Sequence, residues 1–393
     1  MRRCLTLFLP LLFAVYAPAA RAEPAAPRLT ADAEARWVAF DLTPGNQIRF
    51  RMTVNGRPAT AILDTGVSYT VASQTFAAAI GLRPAVQGRA QAIGGTVALS
   101  WASVESLAFG GLARTGGRVA VAELKAIATG SAEPVEVLVG ADVLDGYALD
   151  IDYDQHRFRV LPSGRMPFTG ATVPLGISPE SGVFVSEVTL GGRRLRPMIV
   201  DTGDGSSVTL SREAWASTRL PGDRLTSALS FGLGGAIETD LTVLPTVRMG
   251  SLTARNVELN VERGGGFSAQ TSTLGRIGSG FLQRYRVLLD PRAKRMILRP
   301  GRRADAMPLK STSGLLVGLE RDRLRVLHVM RHSPAAAAGW RAGEHICRVD
   351  GAAVTRDHLG SGEASWLAGT PGRIVRLEPC GQPPRTLTLA AFY

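Results

Sequence analysis

The sequence predicts a mostly β fold: two homologous β lobes forming one bilobal unit, followed by a small α+β domain. Three observations lead there. Gly is abundant, at 44 of 393 residues, and Pro contributes 23, with few long periodic segments between them; that composition belongs to a turn-rich, strand-rich chain. The tripeptide Asp-Thr-Gly occurs twice, at Asp64-Thr65-Gly66 and Asp201-Thr202-Gly203, each time after an apolar run, Ala61-Ile62-Leu63 and Met198-Ile199-Val200. The surroundings of the tripeptide also recur. Val54-Asn55-Gly56-Arg57 and Leu190-Gly191-Gly192-Arg193 mark a hairpin turn before each copy. Thr70-Val71 matches Ser207-Val208 at 137 residues, the offset of the two aspartates, and Ile93-Gly94-Gly95 matches Leu233-Gly234-Gly235 at 140. Leu138-Val139-Gly140-Ala141-Asp142 matches Arg276-Ile277-Gly278-Ser279-Gly280 at 138, and Asp152 to Pro162 matches Asp290 to Pro300 at the same 138. One order of features at one spacing means duplication of a structural unit.

The elements follow in order. Residues 1–22 read as a secretory signal peptide: Arg2 and Arg3, a short apolar run from Leu5 to Ala17 broken by Pro10, then Ala20-Arg21-Ala22 as a small-x-small cleavage site. The run is too short and broken for a membrane anchor, and no other segment is long and apolar enough to cross. The expected location is therefore exported, periplasmic or extracellular. Residues 23–36 are polar and Ala/Pro-rich, expected as a mobile leader. Lobe 1 is placed at 37–165 and lobe 2 at 166–300. Their strands are expected over Gln47 to Val54, Val97 to Phe109, Val119 to Leu124, Val183 to Leu190, Leu241 to Met249 and Val257 to Val261. Short helices are expected over Ser73 to Ile80 and Ser211 to Thr218. Residues 301–309 read as a linker, and 310–393 as the appended domain.

That last segment carries Ser333-Pro334-Ala335, Ala338-Gly339, Gly343-Glu344-His345-Ile346 and Asp350-Gly351 in series. The run resembles a PDZ domain. The resemblance implies binding of a peptide, often a protein C-terminus, by addition to a sheet edge. It puts the carboxylate-binding loop at Ser313-Gly314-Leu315-Leu316, with Gly314, Leu315 and Leu316 as peptide-binding residues.

Residues 37–300, with both tripeptides in matched surroundings, resemble the aspartic peptidases of the pepsin and retropepsin type, nearest to bacterial exported relatives. The resemblance implies two retropepsin-like lobes in a pepsin-like bilobal unit, with Asp64 and Asp201 as catalytic residues facing each other across the lobe interface. Thr65 and Thr202 would cross-bond to the opposite lobe, while Gly66 and Gly203 let the backbone approach closely. The substrate would be a polypeptide, and no cofactor or metal would be needed. Two carboxylates at that separation share one proton, so one can accept a proton from water while the other donates to the carbonyl. Gly94-Gly95 and Gly234-Gly235 fall where flap tips would be, one from each lobe; ordinary hairpin turns are the plainer alternative.

The chain departs from the pepsin pattern three residues after each aspartate, where Ser or Thr is usual and Val67 and Asp204 stand. Val67 has no side-chain donor. Asp204 adds negative charge near Asp201 if it points inward, or sits in a polar turn if it points to solvent; the sequence leaves both open. Inward placement raises the pair's pKa values and shifts activity to milder pH.

Charge and cysteines bound the rest. The net charge is +12, and +9 without Arg2, Arg3 and Arg21 of the signal segment. The excess is almost all Arg, which reads as base composition; an exported chain with no nucleic-acid module excludes that partner. Cys347 and Cys380 remain after the signal segment, either as a disulfide or as two buried thiols. No Gly-x-Ser-x-Gly or His-Glu-x-x-His occurs, which argues against serine and metal hydrolases. A non-catalytic bilobal envelope peptide-binding protein is the rival reading, although two intact Asp-Thr-Gly copies argue against it. The short connection from Leu161 to Thr172 favours pairing of the lobes within one chain, hence a monomer.

Overall fold

The computed structural model describes residues 26–124, 135–220, 225–360 and 362–393; the expected signal peptide, 1–22, lies outside them. Three sheets build the bilobal unit. An 11-stranded sheet makes up lobe 1 and an 8-stranded sheet lobe 2. A third, 6-stranded sheet joins them: the hairpin Tyr147–Asp152 with Arg157–Pro162 from one half of the repeat lies beside Tyr285–Asp290 with Arg295–Pro300 from the other. The two halves meet antiparallel, Leu149 opposite Leu289 and Ile151 opposite Val287. Asp150, fully buried in this seam, accepts hydrogen bonds from Arg159 of its own hairpin and Arg286 of the other. One face of this sheet adds Ile151, Phe158, Val287 and Leu289 to a core that runs through both lobes, while Ala148, Leu161, Leu288 and Ile297 pack with Phe168 on the other. The apolar run on both faces is what a strand covered from both sides needs. The two lobes are thus fused through shared strands.

The strand Arg57–Leu63 leads into the first Asp-Thr-Gly and Arg193–Asp201 into the second. Each is paired antiparallel on one side by its hairpin partner, Ile48–Val54 or Phe184–Leu190. On the other side each lies parallel to a short strand from later in the same lobe, Val137–Val139 or Gly275–Gly278. Parallel pairing on the second side buries the end of the strand, so the turn that follows emerges from the middle of a sheet. The short helices after each turn begin at Ser73 and Ser211, whose hydroxyls accept from Phe76 N and Ala214 N; this satisfies a backbone donor that the first turn would leave open.

The segment 23–36 is not a mobile leader over its described part. Arg28–Leu29 pairs with Leu112–Thr115 as an edge strand, and a single turn at Ala33–Ala35 follows with Ala33 buried. Trp37 then stacks under Arg157 and Arg159. The apolar Leu29 and Ala33 had a sheet edge to cover, which the segment's polar composition concealed.

Residues 315–388 form a separate 5-strand path with one added strand, and a core of their own around Trp340, Ile346, Trp366 and Leu377. Cys347 and Cys380 are joined in a disulfide there, their Cα atoms 5.1 Å apart. This unit rests on lobe 2. Arg331 N–H donates to Ser227 Oγ at 3.0 Å, Thr226 Oγ1 donates to Arg331 O at 2.7 Å, and the Arg331 guanidinium pairs with Asp240. His328 Nε2 lies 2.8 Å from the same Ser227 hydroxyl. Among the described residues no helix is long and apolar enough to cross a membrane.

Candidate active site

The two Asp-Thr-Gly turns meet at the lobe interface and lock into one another. Thr65 Oγ1 donates to Val200 O at 2.7 Å and accepts from Thr202 N–H at 3.1 Å. Thr202 returns the pair, donating to Leu63 O at 2.7 Å and accepting from Thr65 N–H at 3.0 Å. Both threonines are fully buried. Four hydrogen bonds across the interface hold the turns at a fixed separation with no water to compete for them.

The glycines explain how the carboxyls come so close. A Cβ on Gly66 would fall 2.2 Å from Cγ of Asp201, and one on Gly203 would fall 2.3 Å from Cγ of Asp64. Each carboxyl therefore lies over the opposite glycine, within hydrogen-bonding reach of the other carboxyl. Asp64 Oδ1 accepts from Gly66 N–H at 3.1 Å; Asp201 Oδ1 accepts from Gly203 N–H and Asp204 N–H, both at 2.9 Å. Burial pushes the Asp64 carboxyl up to about 6. Burial, then the charges of Asp64 and Asp204, hold Asp201 well above the usual carboxylate range. The pair is thus arranged to carry one proton, with Asp201 retaining it.

Asp204 points inward. Its Oδ2 accepts from Arg276 Nε at 2.8 Å, and Arg276 Nη1 donates to Glu262 Oε1 at 2.5 Å. Arg276 and Glu262 are 2% and 1% exposed. Burial opposes ionisation of Asp204, but the charge and hydrogen bond of Arg276 overcome it and hold its carboxyl below the usual range. Asp204 is therefore a fixed anion beside the pair, and its field contributes to raising both members.

The sheet registers show what this network replaces. Leu138 pairs with Val71 in lobe 1 as Arg276 pairs with Thr209 in lobe 2, so Val71 corresponds to Thr209, one residue beyond the Val208 that the sequence match gives; Ala120 beside Val71 corresponds to Asn260 beside Thr209. Val67 and Leu138 pack in an apolar cluster where lobe 2 has Asp204 and Arg276. The floor under the cleft is thus apolar in one lobe and charged in the other. Comparing the two copies position by position could have found Arg276, a lone cation in an otherwise apolar strand match; which way Asp204 pointed could not be read.

Gly94-Gly95 and Gly234-Gly235 occupy the turns of two long hairpins, Val86–Ala92 with Gly95–Ser103 and Thr226–Gly232 with Gly235–Met249. The tips meet above the aspartates. Gly234 N–H donates to Ile93 O at 2.9 Å, and a Cβ on Gly94 would fall 2.5 Å from Gly235 O. Gly94 at φ +91° and Gly235 at φ +120° hold backbone that side chains disfavour. Beneath the tips the cleft is lined by Asp64, Asp201, Val67, Ile93, Leu99, Phe231 and Leu233. Phe231 faces the cleft, Trp215 belongs to the core, and Trp101 stacks edge-on to Tyr69 outside the cleft.

Gly314, Leu315 and Leu316 lie outside this cleft, in the C-terminal unit with its own core. Leu315 opens the strand Leu315–Glu320, the end strand of its sheet path, paired on one side by Arg323–Val329. The Gly314 and Leu315 amides donate to Ser311 Oγ and Ser313 Oγ. Among the described residues no group of three or more His, Cys, Asp or Glu side chains is placed to hold a metal.

A family model described as aspartyl protease matches residues 50–143 and again residues 186–281. Each match contains one Asp-Thr-Gly turn and the parallel strand beside it. The double match supports a retropepsin-like aspartyl protease, and with it a peptidase acting on polypeptide. A comparison with curated proteins gives no match.

Proposed function

We propose that the chain is an exported aspartic endopeptidase that hydrolyses peptide bonds through water activated between Asp64 and Asp201, with a C-terminal PDZ domain that binds a substrate or partner peptide. The observation that carries the reading is the paired turn: two carboxyls face each other, held by four buried cross-lobe hydrogen bonds of the Thr65 and Thr202 hydroxyls, two to each other's amides and two to the Val200 and Leu63 carbonyls, with one charged and one protonated state favoured. Asp64, the more readily ionised member, takes a proton from water as its oxygen attacks the substrate carbonyl. Asp201 donates its proton to the carbonyl oxygen. The proton on Asp64 then passes to the leaving amine as the C–N bond breaks, while Asp201 takes back a hydroxyl proton from the collapsing gem-diol intermediate, so the pair returns to one proton. The touching tips exclude water from an extended peptide once it is seated.

The signal-like start at Arg2 and Arg3, the cleavage pattern at Ala20-Arg21-Ala22 and the Cys347–Cys380 disulfide support export to a periplasmic or extracellular space. Among the described residues no strand pairs with the outer edge of Leu315–Glu320, which supports peptide addition at the PDZ domain. Fusion of both lobes through one sheet supports a monomer that carries a whole site. The test is cleavage of an unfolded protein across pH by the mature chain, by Asp64→Asn and by Asp201→Asn. Loss of cleavage in both variants, each still folded, supports the paired mechanism; no cleavage by the unaltered chain at any pH supports a peptide binder instead.

A further inference from the structure

The cleft continues past the aspartates into a second cavity of about 340 Å³, sharing Gln47, Ile93, Asp204 and Phe231 with the first. Its chemistry differs from the lobe 1 side. There the floor is Ile62, Val67, Val71 and Leu138. On the lobe 2 side the wall is Asn260, Glu258, Ser230 and the Asp204–Arg276 pair. Glu258 and Asn260 lie two residues apart on the strand Leu252–Val261, so their side chains share one face, opposite the core residues Val257, Leu259 and Val261. Asn260 is committed, accepting from Thr239 Oγ1 at 3.1 Å. Arg276 is committed to Asp204 and Glu262. Glu258 makes no hydrogen bond or ion pair with any described residue, and it is half-buried on the cavity wall. Burial holds its carboxyl above the usual range, the mark of an acid that has lost water and gained no partner.

We propose, resting on the peptidase reading above, that this cavity is the subsite for a basic substrate side chain and that Glu258 is the residue that selects it. With an apolar pocket around the reacting carboxyls and an acidic one adjoining it through Asp204 and Phe231, the preferred substrate has an apolar residue on one side of the cleaved bond and Arg or Lys on the other. Asp204 carries a second negative charge into the cavity; it is already paired, so it leaves Glu258 as the free anion. A Leu in this position would leave the carboxylate desolvated and unmatched, whereas a guanidinium or ammonium supplies its missing partner.

The experiment is position-scanned cleavage of fluorogenic peptides in which the residues flanking the cleaved bond are varied among Leu, Gln, Glu and Arg, with the unaltered chain and with Glu258→Gln. The expected result is at least a ten-fold higher kcat/KM for Arg than for Gln on one side of the bond. Glu258→Gln should lose most of that advantage and cleave the Leu–Leu peptide faster than the unaltered chain does, because no carboxylate is left desolvated beside Leu. Cleavage with no preference for Arg, or a preference that survives Glu258→Gln, overturns the subsite while leaving the peptidase intact. Absence of cleavage of every peptide overturns the peptidase reading and the subsite with it. The comparison among peptides on the unaltered chain does not depend on how the variant folds.

Discussion

Replacing Thr202 by Val tests whether the cross-lobe hydrogen bonds set the geometry of the aspartates. The two side chains have nearly the same shape, so packing is kept while two bonds disappear: Thr202 Oγ1 to Leu63 O, and Thr65 N–H to Thr202 Oγ1. Leu63 and Thr65 are both fully buried, so neither freed group reaches water. A buried group left unpaired costs about 1–3 kcal/mol, giving roughly 4 kcal/mol for the two. For a unit of this size about 2–4 °C is lost per kcal/mol, so the melting temperature should fall by about 10 °C. Activity should fall further than stability, because the turn that carries Asp201 is no longer tied to the one that carries Asp64. Thr202→Ser keeps the hydroxyl, loses one methyl and should cost only about 1 kcal/mol. Differential scanning calorimetry and kcat/KM on all three proteins make the comparison. Equal melting temperatures for Thr202→Val and the unaltered chain, or equal losses for Val and Ser, would refute the reasoning.

Four further outcomes follow from the site and its surroundings. Because Asp64 is raised from 3.8 to about 6 while Asp201 is held higher still, the one-proton pair predominates above about pH 6, and kcat/KM should rise through that value; an optimum in strong acid contradicts it. The same shift makes the folded state bind the Asp64 proton more tightly than the unfolded chain, so this group's contribution to stability falls as pH rises from about 4 to about 6, and Asp64→Asn should flatten that part of the stability curve. Arg276→Leu leaves Asp204 and Glu262 buried without their cation and should cost about 3–5 kcal/mol in thermal unfolding; adding Asp204→Val and Glu262→Gln, which restores the lobe 1 chemistry of Val67 and Leu138, should recover most of it. Breaking the Cys347–Cys380 link, which closes a loop spanning 33 residues, should cost the C-terminal unit roughly 4 kcal/mol, seen as earlier proteolysis of that unit alone.

Much of this was legible in the residues. The mostly β, two-lobe architecture follows from the Asp-Thr-Gly repeat and its offsets, because duplication leaves the same turn chemistry at the same spacing. The helix starts at Ser73 and Ser211 were legible because a capping hydroxyl is a local signal. What could not be read depends on direction and on long-range contact. Asp204 fits a polar turn or a buried ion pair equally well until Arg276, 72 residues later, is placed beside it. Val97 to Phe109 read as one strand, but the chain breaks into Gly95–Ser103 and Ser106–Phe109, since the tip at Gly95 and the turn between them serve different sheet neighbours. The sheet shared between lobes was invisible because strands buried on both faces carry no alternation to show which neighbour covers them.

The C-terminal unit grips the strand Thr226–Gly232 at its first two residues, while the same strand ends at the tip that meets Ile93 and Gly94. That strand behaves as a beam clamped at its root. Cutting the chain before residue 310 would strip Arg331 and His328 from Thr226, Ser227 and Asp240, and the beam would lose its anchorage together with the peptide proposed to bind there. A truncated enzyme that works poorly would therefore say little about delivery. Substitutions along the outer edge of Leu315–Glu320 separate the two roles, because they touch the edge and leave the clamp in place.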